Sequence, residues 1–345
     1  MAKSTETVAE QPANSTTHPV EWPHPPAAPG WMVWTPLAAV VWAIAYGSVR
    51  VWWAIHGAPS FGQLKFDLIF FSGWNAVGLC AAAAVVALAL RMTRWRWPVL
   101  IAGWSVCAAL LVACPLLLLD VVNGLLPGLG APFHAVAFAS RAACLVEGIL
   151  VGAAAEAYRR RWRSACFFCG RTKVREQLEK PPRWAWWAAY AAVAGCLVRL
   201  GAQAAVGFGM LHQLVGGTRL MIEGLVFEAG FLLAGTLLPL ALVYSWGRVV
   251  PQWVPLLAGR RIPRWLLLGP GFLIGSLMTV YFGITIVKVA ADTISGAWRQ
   301  TLAPFPLAFF WVAVPGYLVW GLGLEVAALA YYRVTRPACR VCGRQ

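Results

Sequence analysis

Apolar runs of about 20 residues recur along the chain, and this pattern predicts membrane-spanning helices. A helix of that length crosses about 30 Å of hydrocarbon. Trp and Tyr cluster at the ends of the runs, as they do at membrane interfaces. The helices of a soluble core would need polar faces, which these runs lack. The sequence therefore predicts an all-α membrane protein with eight spans, at about residues 31–55, 68–90, 97–122, 134–157, 184–208, 224–246, 265–290 and 305–331.

The composition and the distribution of charge support this class of protein. Of the 345 residues, 60% are hydrophobic and 12% are charged, about half the charged fraction of a soluble domain. The net charge of +15 would suit nucleic acid, but 21 of the 28 Lys and Arg residues lie in the two tails and in alternate loops. Only Lys65, Arg219 and Arg299 lie in the other loops. By the positive-inside rule, this distribution predicts that both termini lie in the cytoplasm. We expect the basic loops to meet anionic lipid head groups rather than nucleic acid.

A duplicated segment divides the chain into two parts. Residues 145–171 and 318–344 match at 14 of 27 positions without gaps, and both end in Ala-Cys-x-x-Cys-Gly-Arg. Arg50 and Arg199 also stand in similar contexts. Because each part has an even number of spans, we predict two parallel four-helix repeats. The predicted organisation is a disordered tail (residues 1–30), a first repeat (31–171), a basic linker (172–183) and a second repeat (184–345).

Four of the nine cysteines form two Cys-x-x-Cys-Gly turns, each at the cytoplasmic end of the last span of its repeat. Two thiolates at this spacing can bind one metal ion at about 2.3 Å, and the glycine permits the turn behind them. Parallel repeats can bring both turns together, so we expect one structural zinc ion. A redox-active dithiol, a disulfide and a motif without metal are the alternatives, and a cytoplasmic location argues against a stable disulfide. The predicted ligands are Cys166, Cys169, Cys339 and Cys342.

Charged residues inside the predicted spans are costly, and they are usually either paired or functional. One interpretation is that they form ion pairs between packed helices. The other is a polar path between the repeats that carries an ion, a proton or a small solute. The candidate path consists of Arg50, Arg141, Glu147, Arg199, Glu228, Lys288 and Glu325.

Histidines and acids recur at the opposite, extracytoplasmic ends of the spans. In each repeat a histidine is followed eleven residues later by an acid. Together with one further histidine, these groups could form a metal or proton site. Unconnected interfacial histidines are the alternative. The candidate cluster is His56, Asp67, His134, His212 and Glu223.

The basic stretch between the sixth and seventh predicted spans is expected to lie on the membrane surface. It runs Trp-Gly-Arg-x-x-Pro-x-Trp-x-Pro-x-x-x-Gly-Arg-Arg-x-Pro from Trp246 to Pro263. It resembles a pattern in multi-span membrane proteins of high-GC actinobacteria, a resemblance that implies no activity. The Cys-x-x-Cys-Gly turns resemble zinc-ribbon knuckles, here split between two distant parts of the chain.

The sequence contains no Walker loop, no nucleophile elbow and no His-Glu-x-x-His motif. An enzyme acting on lipid or isoprenoid is therefore the least favoured function. The leading hypothesis is transport or permeation along the polar path. The alternative is a membrane scaffold or regulatory subunit whose zinc-bound cytoplasmic face docks a partner.

Overall fold

The computed structural model describes residues 29–61, 67–93, 95–125, 133–163, 165–171, 180–210, 218–252, 258–301, 306–337 and 339. These residues are mainly helical. The first half contains α1 (Gly30–His56), α2 (Trp74–Met92), α3 (Arg96–Ala113), α4 (Leu117–Leu125) and α5 (Ala135–Trp162). The second half contains α6 (Arg183–Met210), α7 (Thr218–Val243), α8 (Arg264–Ser295), α9 (Trp298–Thr301) and α10 (Leu307–Thr335).

Seven of these helices are long and apolar enough to cross a membrane, namely α1, α2, α3, α5, α6, α8 and α10. The predicted class of multi-pass helical membrane protein is therefore supported. The predicted span at residues 224–246 corresponds to α7, which has 26 residues. Its stretch Glu228–Val243, whose side chains the structure describes, is apolar. The predicted tail lies almost wholly outside the described residues, as does most of the linker.

Two predicted spans differ from the helices that form. The span predicted at 97–122 is broken, because Pro115 has no backbone N–H to continue the ladder of α3. Its last part turns away as the separate helix α4. The span predicted at 68–90 begins only at Trp74. The residues before it bend towards α3, where the Ile69 N–H donates to the Ala113 carbonyl at 2.9 Å.

The helices pack in the same order in both halves. In the first half, α1 packs against α2 and α5, and α3 packs against α5. In the second half, α6 packs against α7 and α10, and α8 packs against α10. The halves meet through α3 and α8 among other contacts. Each half is thus a bundle built around its last long helix.

In both halves, a tyrosine near the end of that last helix donates a hydrogen bond to a backbone carbonyl in the equivalent loop. The Tyr158 hydroxyl on α5 donates to the Thr93 carbonyl, in the loop between α2 and α3, at 3.3 Å. The Tyr331 hydroxyl on α10 donates to the Gly247 carbonyl, in the loop between α7 and α8, at 3.0 Å. The two tyrosines are among the matching positions of the duplicated segments. Each holds the corresponding loop of its own bundle.

The backbones of α6 and α10 touch through glycines. A Cβ added at Gly323 would stand 2.5 Å from the Ala188 carbonyl oxygen, and one at Gly195 would stand 2.5 Å from the Gly316 carbonyl oxygen. Small residues permit this close approach, which supplies packing contacts where lipid provides no hydrophobic driving force.

We expect Gly323→Ala to destabilise the second half by about 1–3 kcal/mol, because the new methyl group must push α6 and α10 apart. Unfolding of the purified protein in mixed micelles measures this loss. Gly201→Ala is the matched control, since nothing lies within 4 Å of a Cβ added there on α6. Equal stability of the two variants would contradict the close contact.

Candidate metal centre

Three cysteines from opposite halves of the chain come together at one end of the bundle. The Sγ atoms of Cys166 and Cys339 lie 3.9 Å apart. With Cys169, all three sulfur atoms lie within 4.8 Å of one another. Tetrahedral thiolates bound to one ion at 2.3 Å would be about 3.8 Å apart, whereas the sulfurs of a disulfide are about 2.05 Å apart. These three thiols could therefore hold a metal ion.

Of the four predicted ligands, the structure brings together the three that it describes. Cys342 lies outside the described residues. In the described parts of the chain, this is the group of His, Cys, Asp and Glu side chains whose geometry suits a metal.

The backbone after α5 forms a tight turn that presents the first cysteine pair. The Cys166 N–H donates to the Arg171 carbonyl at 3.1 Å, and the Gly170 N–H donates to the Cys166 carbonyl at 2.6 Å. Gly170 has a φ of 69°, in the left-handed region that side chains disfavour. The turn is therefore set by local backbone geometry, as the Cys-x-x-Cys-Gly spacing predicts.

Arg160 fixes this turn to α5, and sequence reasoning missed its role. Its guanidinium donates to Glu156 at 2.9 Å and to the Phe167 carbonyl at 3.2 Å. It also lies over the Trp31 ring at the start of α1. The available signal was its identity with Arg333 in the duplicated segment.

Two further contacts gather chain segments at the cysteine end of the bundle. The Arg171 Nη1 donates to the Pro337 carbonyl at 3.1 Å, which links the first cysteine turn to the segment after α10. The Arg161 Nη2 donates to the Met32 carbonyl at 2.8 Å. The start of α1 and the ends of α5 and α10 thus share one end of the bundle.

Near the other end of the first half, buried charges form a network of ion pairs and hydrogen bonds. Arg50 on α1 pairs with Asp67 at 2.5 Å, and both side chains are less than 5% exposed. The Ser140 hydroxyl donates to the same Asp67 oxygen, and the Tyr46 hydroxyl lies 2.8 Å from Ser140. Arg141 extends the network, donating to the Asp67 carbonyl at 2.6 Å. Its Nη1 pairs with Asp120 on α4 at 2.5 Å.

The second half has a buried arginine at the corresponding place. Arg199 on α6 donates to both oxygens of Glu228, at 2.6 and 2.9 Å, and to the Tyr317 hydroxyl at 2.6 Å. The spacing from a histidine relates Asp67 to Glu223. Glu228 on α7 is the acid that pairs with Arg199. The side chain of Glu223 is not among those that the structure describes.

The remaining candidates for the polar path lie apart. Lys288 is exposed on α8 and pairs with Asp292 at 3.0 Å within the same helix. Glu325 on α10 packs against Gly275 and forms a hydrogen bond with Ser276 on α8. Glu147 on α5 is fully buried. Each of the ion pairs described here joins residues of the same half.

The two described histidines of the candidate extracytoplasmic cluster do not join Asp67. His56 is exposed at the end of α1 and stacks on Trp52, with ring centroids 3.8 Å apart. His134 directly precedes α5, near Asp120. His212 lies outside the described residues.

An open cleft of about 370 Å³ lies between α1 and α2. Small side chains line most of it, including Ala43, Gly47 and Ala84. The Ser48 hydroxyl on its wall donates to the Ile44 carbonyl at 2.8 Å. This cleft is therefore apolar.

Comparison of the chain with protein-family profiles, curated proteins and solved structures finds no match in any of the three. The resemblance to actinobacterial membrane proteins stays a prediction.

We expect Asp67→Ala to destabilise the first half by about 3–5 kcal/mol, because it leaves the buried Arg50 guanidinium without its counter-ion. Unfolding in mixed micelles measures this. Lys288→Ala is the control, since its side chain is 63% exposed and we expect a change of at most about 1 kcal/mol. Similar losses in the two variants would contradict the importance of burial.

Proposed function

We propose that the chain is an eight-span membrane protein made of two parallel four-helix units that a zinc ion joins at the cytoplasmic face. The cluster of Cys166, Cys169 and Cys339 carries this proposal, because its thiols come from both units. The best-supported role is that of a membrane scaffold or regulatory subunit, whose zinc-bound face docks a partner.

Three recurring features support the duplication. Each half has a tyrosine that holds its own loop, a Cys-x-x-Cys motif after its last helix and a buried arginine on its first helix. A fourth feature, a contact between a glycine and a cysteine, recurs with its residues exchanged. Gly47 on α1 faces Cys80 on α2, whereas Cys196 on α6 faces Gly235 on α7. These contacts make α7 the counterpart of α2. In the proposed eight-span arrangement, α7 therefore crosses the membrane as α2 does.

The chemistry of the donor set supports zinc. Thiolate ligands in a tetrahedral arrangement suit zinc, and a four-cysteine site leaves no position open for catalysis. Cys342 supplies the fourth ligand, three residues after Cys339 as Cys169 stands after Cys166. The cytoplasm keeps unbound thiols reduced, which favours a metal over a disulfide.

The pairing of buried charges favours the scaffold over transport. A polar path between the units needs charged groups that face one another across the interface. Arg50, Arg141 and Arg199 instead each bind a carboxylate of their own unit. Such pairs satisfy the charges that the membrane cannot solvate.

We expect the purified protein to contain about one zinc ion per chain, and Cys339→Ser to lose it. Elemental analysis after gel filtration measures the metal. Cys196→Ala is the matched control, because this cysteine is buried in α6. Folded wild-type protein that contains no zinc would refute the metal site.

Zinc should also hold the two units together after the chain is cut. A protease site inserted into the linker at residues 172–183 allows this test on the full chain. We expect the cleaved units to copurify when zinc is bound and to separate more readily with a chelator. Copurification that is equally stable with chelator would mean that helix contacts alone join the units.

A further inference from the structure

Glu147 lies near the middle of the long helix α5. It stands twelve residues after the helix start at Ala135 and fifteen residues before its end at Trp162. At 1.5 Å per residue, these separations are about 18 and 22 Å. The carboxyl group is therefore placed at mid-membrane depth, where a charge is most costly.

Neither oxygen of the Glu147 carboxyl group has a hydrogen-bond partner among the described residues, and the side chain is 0% exposed. The other acids whose side chains are described all have a cation or a hydroxyl beside them. They are Asp67, Asp120, Glu156, Glu228, Asp292 and Glu325.

The helices packed around Glu147 supply no cation to pair with it. The Arg50 guanidinium is bound to Asp67. The Cys107 thiol donates to the Gly148 carbonyl at 3.3 Å. The titratable or charged groups in the surrounding core are Tyr46 and Arg50 on α1, Cys80 on α2, Cys107 on α3, Cys114 just after α3, and Cys144 on α5 itself.

At the position equivalent to Glu147, the second half has no acid. The duplicated segments place Trp320 on α10 where α5 has Glu147. Trp320 is 2% exposed and packs against Cys196 and Phe231. An apolar side chain therefore suffices for packing at this point, so the acid in the first half has a different role.

An ionised carboxylate without a partner is far more costly in an apolar interior than a neutral carboxylic acid. We propose that Glu147 is a proton-binding site in the membrane, occupied at neutral pH in this conformation. The site takes up one proton and becomes uncharged. It belongs to the first half alone and does not depend on zinc.

Infrared difference spectroscopy of the full-length protein in lipid nanodiscs tests the proposal. At pH 7 we expect the carbonyl stretching band of a protonated carboxylic acid, and we expect Glu147→Gln to remove it. Glu156→Gln is the matched control on the same helix, because Glu156 accepts hydrogen bonds from Arg159 and Arg160 and is held ionised. The band should persist in this control. A band of equal intensity in wild type and Glu147→Gln would overturn the proposal, as would its complete absence from wild type.

The stability of two variants gives a second measurement. A neutral Glu147 can be replaced by Gln or by the apolar Met with little effect on melting temperature at pH 7. Glu228→Gln should lower the melting temperature clearly, because it removes the counter-ion of Arg199. The proposal would be overturned if neither Glu147 variant folded, or if both lowered the melting temperature as much as Glu228→Gln. Glu147 would then be a charged structural group. Zinc content should be unchanged in the Glu147 variants, so this outcome is separate from the test of the metal site.

Discussion

A bilayer offers no water to solvate backbone groups or charges, and the structure follows from this constraint. Backbone hydrogen bonds are satisfied within long helices, and the buried arginines find acceptors on neighbouring segments. The acceptor of Arg50, Asp67, is buried in the bundle although it lies on a bent, non-helical stretch. Where α6 and α10 meet, glycines replace bulky side chains, since contact between backbones supplies packing that lipid does not drive.

The sequence was a good guide to the helices and to the cysteine cluster. Apolar length alone identifies candidate spans, and the duplicated ending pointed to a meeting of Cys166 with Cys339. The break at Pro115 was missed because the run around it is apolar throughout, so that hydropathy did not register a change of direction. The late start of α2 was missed for a related reason, since the residues before it make tertiary contacts, Asp67 with Arg50 and Ile69 with Ala113.

The partners of the buried arginines were harder to predict. Two acids, Glu223 and Glu228, lie five residues apart on α7, and chain position alone did not show that Glu228 pairs with Arg199. Tyr46, Ser140 and Tyr317 are uncharged, so a search for charged residues inside spans passed over them. Their positions on packed helix faces become visible only when the helices are placed side by side.

The long separation between Cys166 and Cys339 along the chain has a consequence for biosynthesis. The first cysteine turn leaves the ribosome before α6, α7, α8 and α10 have been made. Its partner sulfur is made only after these four helices, so the thiols can meet only late in synthesis. Closure of the cluster thus marks a chain whose second half has been made and has packed against the first.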